Sequence, residues 1–563
     1  MYKQNNFALE FDGFTFIYGN DNHVRPAVKN ISFKLEKGKT LILAGSSGSG
    51  KSTICNALNG IIPFRQIGYM KGDVKVFGLS VWDQSLAELS KKVGLVKQNP
   101  DEQLVTFTVR DEISFGLENL NLPKEEIIER VDDIVEFMNI EHLIDRDIDD
   151  LSGGEKQIVV ICSYLVMKPK ILILDEPFAF LDQKSSTLLL NRLKKLYQDK
   201  ELDLSIIIVE HRLSKVLDIA DYLLVLNHNG EIALKGSINN LFRNHFNDLK
   251  SCNLRIPWIP DLFISALETP KREIPLFFDT AIEIINKETN RNLELLKNRL
   301  YENFMNHKEY SDGMEGEILL ELKNASFKYP KLNRMALNNI SLKIYKGDFI
   351  GLVGHNGCGK TTLLYLLAGL YNPSKGKVYY KGRNLLEIDF YEYAEKIGFI
   401  FQNPENMLFK NTIRDEILYA PKNFNLLNQF DEENLNQLMR MVGNVEYDRN
   451  PFNLSWGQKR RLNLSSIFIY DPEIILLDEP FIGQDQKTID ELINILYQEQ
   501  QKGKTIIISS HDYHLLLNHV DKIIELDNGN LIEYEENYSY FQKYQSLGPI
   551  SLLNIINKKL GKI

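Results

Sequence analysis

Short runs of Val, Ile and Leu punctuate this chain, and stretches with helical apolar spacing separate them. Continuous runs such as Lys170–Leu174 and Ile206–Val209 predict strands of a parallel sheet buried on both faces. Residues 41–45 read as one more such strand, and 52–60 as the helix that follows it. A more helical insert is expected between Gln98 and Leu151. Between 251 and 316 the prolines of IPWIP and ETPKREIP interrupt regular elements. Leu293, Leu296, Leu300 and Phe304 then fall near one helical face, so this region reads as a partly ordered connector with one short helix. The longest uncharged apolar run, Ile158–Met167, is about half of the ~20 residues a membrane helix needs. The fold class is α/β, with no membrane span.

The pattern is written twice. GSSGSGKST from Gly45 recurs as GHNGCGKTT from Gly354, and the segment at Gln98 recurs at Gln402. LSGGEKQ at Leu151 recurs as LSWGQKR at Leu454, ILILDEP as IILLDEP, and IIIVEHR as IIISSHD. Five elements in one order at nearly constant spacing predict two copies of one domain. The boundaries expected are 1–245 and 317–545, with 246–316 as connector and 546–563 as a C-terminal tail.

Composition adds exclusions. Of 563 residues, 44% are hydrophobic and 25% charged, as in ordinary soluble domains. A net charge of −10 argues against a nucleic-acid partner. Lys459-Arg460-Arg461 is too short a basic cluster to reverse that. Cys55, Cys162, Cys252 and Cys358 are too scattered for a disulfide framework and fit a reducing compartment. Met1–Asp12 has no apolar core and does not read as a signal peptide. His511, His514 and His519 match no standard zinc spacing.

The repeated motifs carry phosphate chemistry. Gly45, Ser46, Ser47, Gly48, Ser49, Gly50, Lys51, Ser52 and Thr53 form a strand–loop–helix phosphate cradle. Converging backbone N–H groups and the helix dipole would hold β- and γ-phosphates there. Gly354, His355, Asn356, Gly357, Cys358, Gly359, Lys360, Thr361 and Thr362 repeat it. Lys51 and Lys360 supply charge, and the Ser52 and Thr361 hydroxyls are expected as Mg²⁺ ligands. Asp175 and Asp478, at the ends of buried strands, are the expected acidic partners of that metal. Glu176 and Glu479 are placed to orient and polarise an attacking water, and His211 and His511 to reach the γ-phosphate. Cys358 puts a thiol inside the second cradle, where alkylation would be expected to inhibit.

Together these elements resemble the ATP-binding-cassette (ABC) ATPases, over both copies. The resemblance implies two P-loop nucleotide-binding domains in tandem, each with a helical subdomain. It further implies that Gln98 and Gln402 contact Mg²⁺ and that Tyr18 and Tyr329 stack on adenine. Ser152, Gly153 and Gly154 of one copy, and Ser455 and Gly457 of the other, would close over ATP held by the opposite copy. Asp182 and Asp485 match the loop that crosses this pairing.

QNPDEQLVTFTVRDEISFGLENL and QNPENMLFKNTIRDEILY, with the connector phrase, are similar to fused energy-coupling-factor (ECF) importer ATPases. The implied partners are a transmembrane scaffold subunit and a small substrate-binding membrane subunit. The implied place is the cytoplasmic face of the cell membrane, and the implied cargo a vitamin, a vitamin precursor such as a thiamine-related compound, or a metal ion. Asp111-Glu112 and Asp415-Glu416 either meet basic residues of the scaffold or cap their own helices. Two other readings compete: a tandem-cassette ribosome factor and a tandem sugar-importer ATPase. Trp456 stands where the first copy has Gly153, so the two sites are expected to be unequal. The reasons are its bulk and a restricted φ.

Overall fold

The computed structural model describes residues 6–19, 25–46, 48–179, 181–267, 274–304, 316–330, 334–427, 432–443, 445–482, 484–543 and 548–561. The chain divides into two compact units, residues 1–264 with 269–276, and residues 265–268 with 277–563.

In the first unit, strand Phe7–Tyr18 pairs antiparallel with Val28–Glu36 and with Gly68–Val76. Leu79–Ser80 completes a four-stranded sheet. Alternation along Val28–Glu36 sends Val28, Ile31, Phe33 and Leu35 inward, the two-residue period of a sheet with one covered face. Phe11 stacks on Phe33 at 4.8 Å in the core beneath it.

The second sheet has six strands, in the order Ile232–Ser237, Tyr222–Leu226, Thr40–Gly45, Ser205–Val209, Ile171–Asp175, Val93–Val96. Only the edge strand Ile232–Ser237 runs antiparallel. Thr40–Gly45 and Ser205–Val209 are buried throughout, as a parallel sheet covered on both faces requires. Helices Val109–Asn119, Lys124–Met138 and Gly153–Leu165 supply the helical part.

The second unit repeats both sheets in the same strand order, with Phe349–Val353 in the place of Thr40–Gly45. Its helical part contains Ile413–Ile417, Tyr419–Asn423, Glu432–Val442 and Trp456–Phe468.

The connector is more regular than its prolines suggest. Instead of one short helix, its described residues hold three after helix Phe246–Ser251: Trp258–Leu267, Phe278–Lys287 and Asn290–Phe304. Pro260 falls in the first turn of the first, where its missing N–H has no intrahelical acceptor to satisfy. Leu293, Leu296 and Leu300 are all buried. The C-terminal segment is likewise more than a tail. Helix Pro549–Lys559 packs on the last two connector helices, with Leu552, Leu553 and Ile556 buried. Lys559 Nζ donates to the Ile285 carbonyl at 2.6 Å.

Candidate nucleotide sites

Each phosphate loop follows a buried central strand and opens a helix. Gly50 and Gly359 sit just before helices Lys51–Leu58 and Lys360–Leu367, in left-handed backbone with φ of 95° and 111°. A Cβ at Gly50 would lie 2.4 Å from the Ala27 carbonyl, and one at Gly359 2.6 Å from that of Ala336. Both the conformation and the close approach require glycine.

Lys51 Nζ donates to the Gly45 and Ser46 carbonyls at 3.0 and 2.9 Å. Lys360 Nζ reaches the Gly354 and His355 carbonyls at 2.8 and 3.2 Å. Each amine is thus folded over its own loop, at the mouth of the cradle. His355 Nε2 lies 2.7 Å from Asp527 Oδ1, tying the second loop to the end of strand Lys522–Asp527. Ser47 lies outside the described residues.

The Tyr18 hydroxyl lies 3.0 Å from Thr53 Oγ1, and that of Tyr329 3.1 Å from Thr362 Oγ1. Phe16 and Phe327 meet these rings edge-on. Threonine and phenylalanine therefore fix the aromatic planes beside the loops.

The acidic groups converge on the loop hydroxyls. Ser52 Oγ is 3.3 Å from Asp175 Oδ2, and Thr361 Oγ1 donates to Asp478 Oδ2 at 2.7 Å. Burial and the neighbouring Glu176 charge push the Asp175 carboxyl up to about 6, against the pull of Lys51 and Ser52. Burial would also raise Glu176, but the charge and hydrogen bond of His211 outweigh it and hold the carboxyl low. His211 Nε2 lies 2.8 Å from Glu176 Oε1, and His511 Nε2 3.0 Å from Glu479 Oε1. Gln98 Nε2 donates to Glu176 Oε2 at 2.9 Å. Gln402 is exposed, and its carbonyl accepts from Arg460 at 2.6 Å. Glu176 and Glu479 both hold left-handed φ, 48° and 46°, a strained backbone that places each carboxylate beside its histidine.

These hard oxygen donors, one hydroxyl and one carboxylate per loop, suit Mg²⁺ beside a phosphate. The glycine loops at the helix N-termini suit phosphate oxygens, and a Cβ at Gly45, Gly50, Gly354 or Gly359 would collide with neighbouring backbone.

Three expectations change. Gly153 and Trp456 each take the first helical position after a capping serine, Ser152 or Ser455. Neither has left-handed φ, so tryptophan restricts nothing in the backbone there and differs from glycine at that position by its bulk. Gly154 and Gly457 are the crowded positions, with a Cβ 2.8 Å from Ser185 Cβ and 3.1 Å from Gln484 Oε1.

Glu112 and Glu416 are 3% exposed. Glu112 accepts from the Val105 and Thr106 N–H groups, and Glu416 from those of Phe409 and Lys410. They brace the preceding loops, which leaves only Asp111 and Asp415 of those pairs facing solvent.

The Cys358 thiol is buried and pushed up by burial, which leaves it unreactive rather than poised for alkylation.

Asp182 and Asp485 cap helices Gln183–Gln198 and Gln486–Gln501, accepting from Ser185 N and Thr488 N at 2.7 and 2.9 Å. Arg460, fully buried, donates to the Phe401 and Gln402 carbonyls and so sets the path of the loop at Gln402. Its position inside LSWGQKR was the one available signal.

The family model for the ABC transporter matches residues 28–179 and 337–482. The chain belongs to the ABC transporter family. A putative ABC transporter ATP-binding protein of Clostridium perfringens is 35% identical over 526 residues, covering 93% of this chain and 90% of that one. A putative HMP/thiamine import ATP-binding protein of Bacillus subtilis is 33% identical over 525 residues, with 93% and 90% covered. Among solved structures, cbiO1 of Clostridium perfringens, part of the ABC transporter complex cbiONQ, is 32% identical. It covers 45% of this chain and 97% of its own, with a TM-score of 0.38.

This ABC protein is a tandem of two nucleotide-binding domains of the P-loop class, with ATPase activity coupled to transport. Among the described residues, no helix is long and apolar enough to cross a membrane.

Proposed function

We propose that this chain is the ATP-hydrolysing subunit of an ECF-type importer for a vitamin or vitamin precursor, a thiamine-related compound being the leading candidate. It works at the cytoplasmic face of the membrane, on a transmembrane scaffold subunit paired with a small substrate-binding membrane subunit. The observation that carries this reading is the 33% identity, over nearly the whole length, to a protein named for HMP/thiamine import. The segments after Gln98 and Gln402 support it.

A groove of about 250 Å³ in the second unit supports it too. Phe399, Met407, Phe409, Tyr419 and Phe424 line it, and Phe409 is 64% exposed. An apolar groove of that kind suits a helix presented by a membrane subunit.

In each unit, Ser52, Asp175 and Gln98, or Thr361, Asp478 and Gln402, would hold Mg²⁺. When bound, the metal would neutralise negative charge on the nucleotide phosphates. Glu176 or Glu479 accepts a hydrogen bond from the attacking water and takes its proton as the new bond to the γ-phosphorus forms. The bond from that phosphorus to the β–γ bridging oxygen breaks, releasing ADP and phosphate. His211 and His511 hold the carboxylates in line. Ser152–Gly154 and Ser455–Gly457 are the loops that would close over bound nucleotide.

Co-expression with a candidate transmembrane scaffold subunit and a small substrate-binding membrane subunit tests the assignment. The expected result is a membrane-bound complex that takes up labelled thiamine precursor in an ATP-dependent way. Lys51→Ala with Lys360→Ala should abolish nucleotide binding and uptake together. Sedimentation with ribosomes instead of membranes would overturn the importer assignment.

A further inference from the structure

The end of the strand before each histidine differs between the two units, and the difference reaches the acidic pair. In the first unit the ladder continues to Asp175 opposite Val209. The Glu176 N–H donates to the Val209 carbonyl at 3.0 Å. In the second unit the ladder stops at Leu477 opposite Ile508, and a side chain takes over. Ser509 Oγ donates to Asp478 Oδ1 at 2.7 Å and accepts from the Glu479 N–H at 2.8 Å. Ser509 has no solvent exposure, and Asp478 and Glu479 are 4% and 7% exposed.

We infer that Ser509 is a positioning residue, which pre-orients the Asp478 carboxylate and the Glu479 backbone so that the second unit holds the metal–nucleotide complex more tightly than the first. The inference rests on the phosphate-loop reading above. One hydroxyl has one proton and two lone pairs, and here the proton goes to the carboxylate while a lone pair takes the Glu479 N–H. A charge-assisted bond inside a dry site is among the stronger hydrogen bonds available. It locks one carboxylate oxygen, while Thr361 holds the other at 2.7 Å. Asp478 is thereby fixed from both sides with no rotation to freeze on binding. Val209 offers no hydroxyl, and Ser52 approaches Asp175 only at 3.3 Å. Outer groups that orient a metal ligand typically carry 10–100-fold in metal affinity.

The test uses the full-length chain with Lys51→Ala, which leaves only the second loop able to bind. Mn²⁺ with a non-hydrolysable ATP analogue is titrated by electron paramagnetic resonance. Ser509→Val should weaken Mn²⁺ binding by about tenfold, and Ser509→Ala, which fits the same buried space, by a similar factor. Ser509→Thr, which restores the hydroxyl, should bind within about twofold of the parent. A thermal melt of each variant checks that the fold is kept. Unchanged Mn²⁺ affinity in both Ser509→Val and Ser509→Ala would overturn the inference. So would a loss in Ser509→Thr equal to that in Ser509→Val, because the role would then be packing. If Lys51→Ala with Lys360→Ala binds the Mn²⁺–nucleotide complex as tightly as the Lys51→Ala parent, the phosphate-loop reading itself fails.

Discussion

His211 Nε2 stands 2.8 Å from Glu176 Oε1, and this contact holds the buried carboxylate ionised. Removing the imidazole leaves burial to act alone, which raises a carboxyl. His211→Ala is therefore expected to shift the acid limb of first-site ATP hydrolysis toward higher pH. It should also lower turnover at least tenfold, in line with the usual contribution of a positioned acid–base pair. A pH–rate profile measured with the second site disabled by Lys360→Ala reads both effects. An unmoved acid limb would show that the histidine does not set the protonation of Glu176.

Asp175 carries a cost in the nucleotide-free protein. A carboxyl raised to about 6 by burial is easier to protonate folded than unfolded. Its charge therefore opposes folding above pH 6. The penalty shrinks as pH falls from 6 toward 4 and vanishes below the unfolded value. Asp175→Asn should stabilise the free protein at pH 7.5 by about 1–3 kcal/mol, with little gain near pH 4. Thermal melts at the two pH values check this, and a lower melting temperature at pH 7.5 would contradict it.

Adjacent glycines of the first LSGGE loop should respond oppositely to alanine. Nothing lies within 4 Å of a Cβ at Gly153, whereas one at Gly154 meets Ser185 at 2.8 Å. Gly153→Ala should change stability by no more than about 0.5 kcal/mol. Gly154→Ala overpacks a helix contact and should cost about 1–3 kcal/mol. Chemical denaturation of the two variants distinguishes them, and equal losses would mean the loop conformation differs from the one described.

Thiol reactivity should follow burial. Cys55, Cys162 and Cys358 are buried, and burial pushes the Cys162 thiol up to about 12. Only Cys252 is partly exposed. One thiol per chain is expected to react with a disulfide reagent at pH 8, and four in denaturant. Rapid modification of two or more thiols in the folded protein would contradict the packing around the second phosphate loop.

The chemistry of this protein was legible in its sequence because phosphate binding depends on residues that are neighbours in the chain. A loop of glycines, a lysine and a hydroxyl must follow one another to wrap a phosphate, and a duplicated copy shows they are no accident. Strands of the buried sheet were legible for a similar reason: a segment covered on both faces is built mostly of Val, Ile and Leu.

What only the tertiary structure decided are the pairings between residues far apart. Ser509 meets Asp478 and Glu479 across two strands. Glu112 and Glu416 turn inward to bind loop N–H groups, although acidic residues at a helix start ordinarily face water. Pro260 looked like a break and proved compatible with a helix start, because a first-turn proline gives up a hydrogen bond that no helix makes. Trp456 took an ordinary helical φ, since the local backbone there is set by the capping serine and not by glycine. Local patterns constrain which groups are present, and packing decides which of them touch.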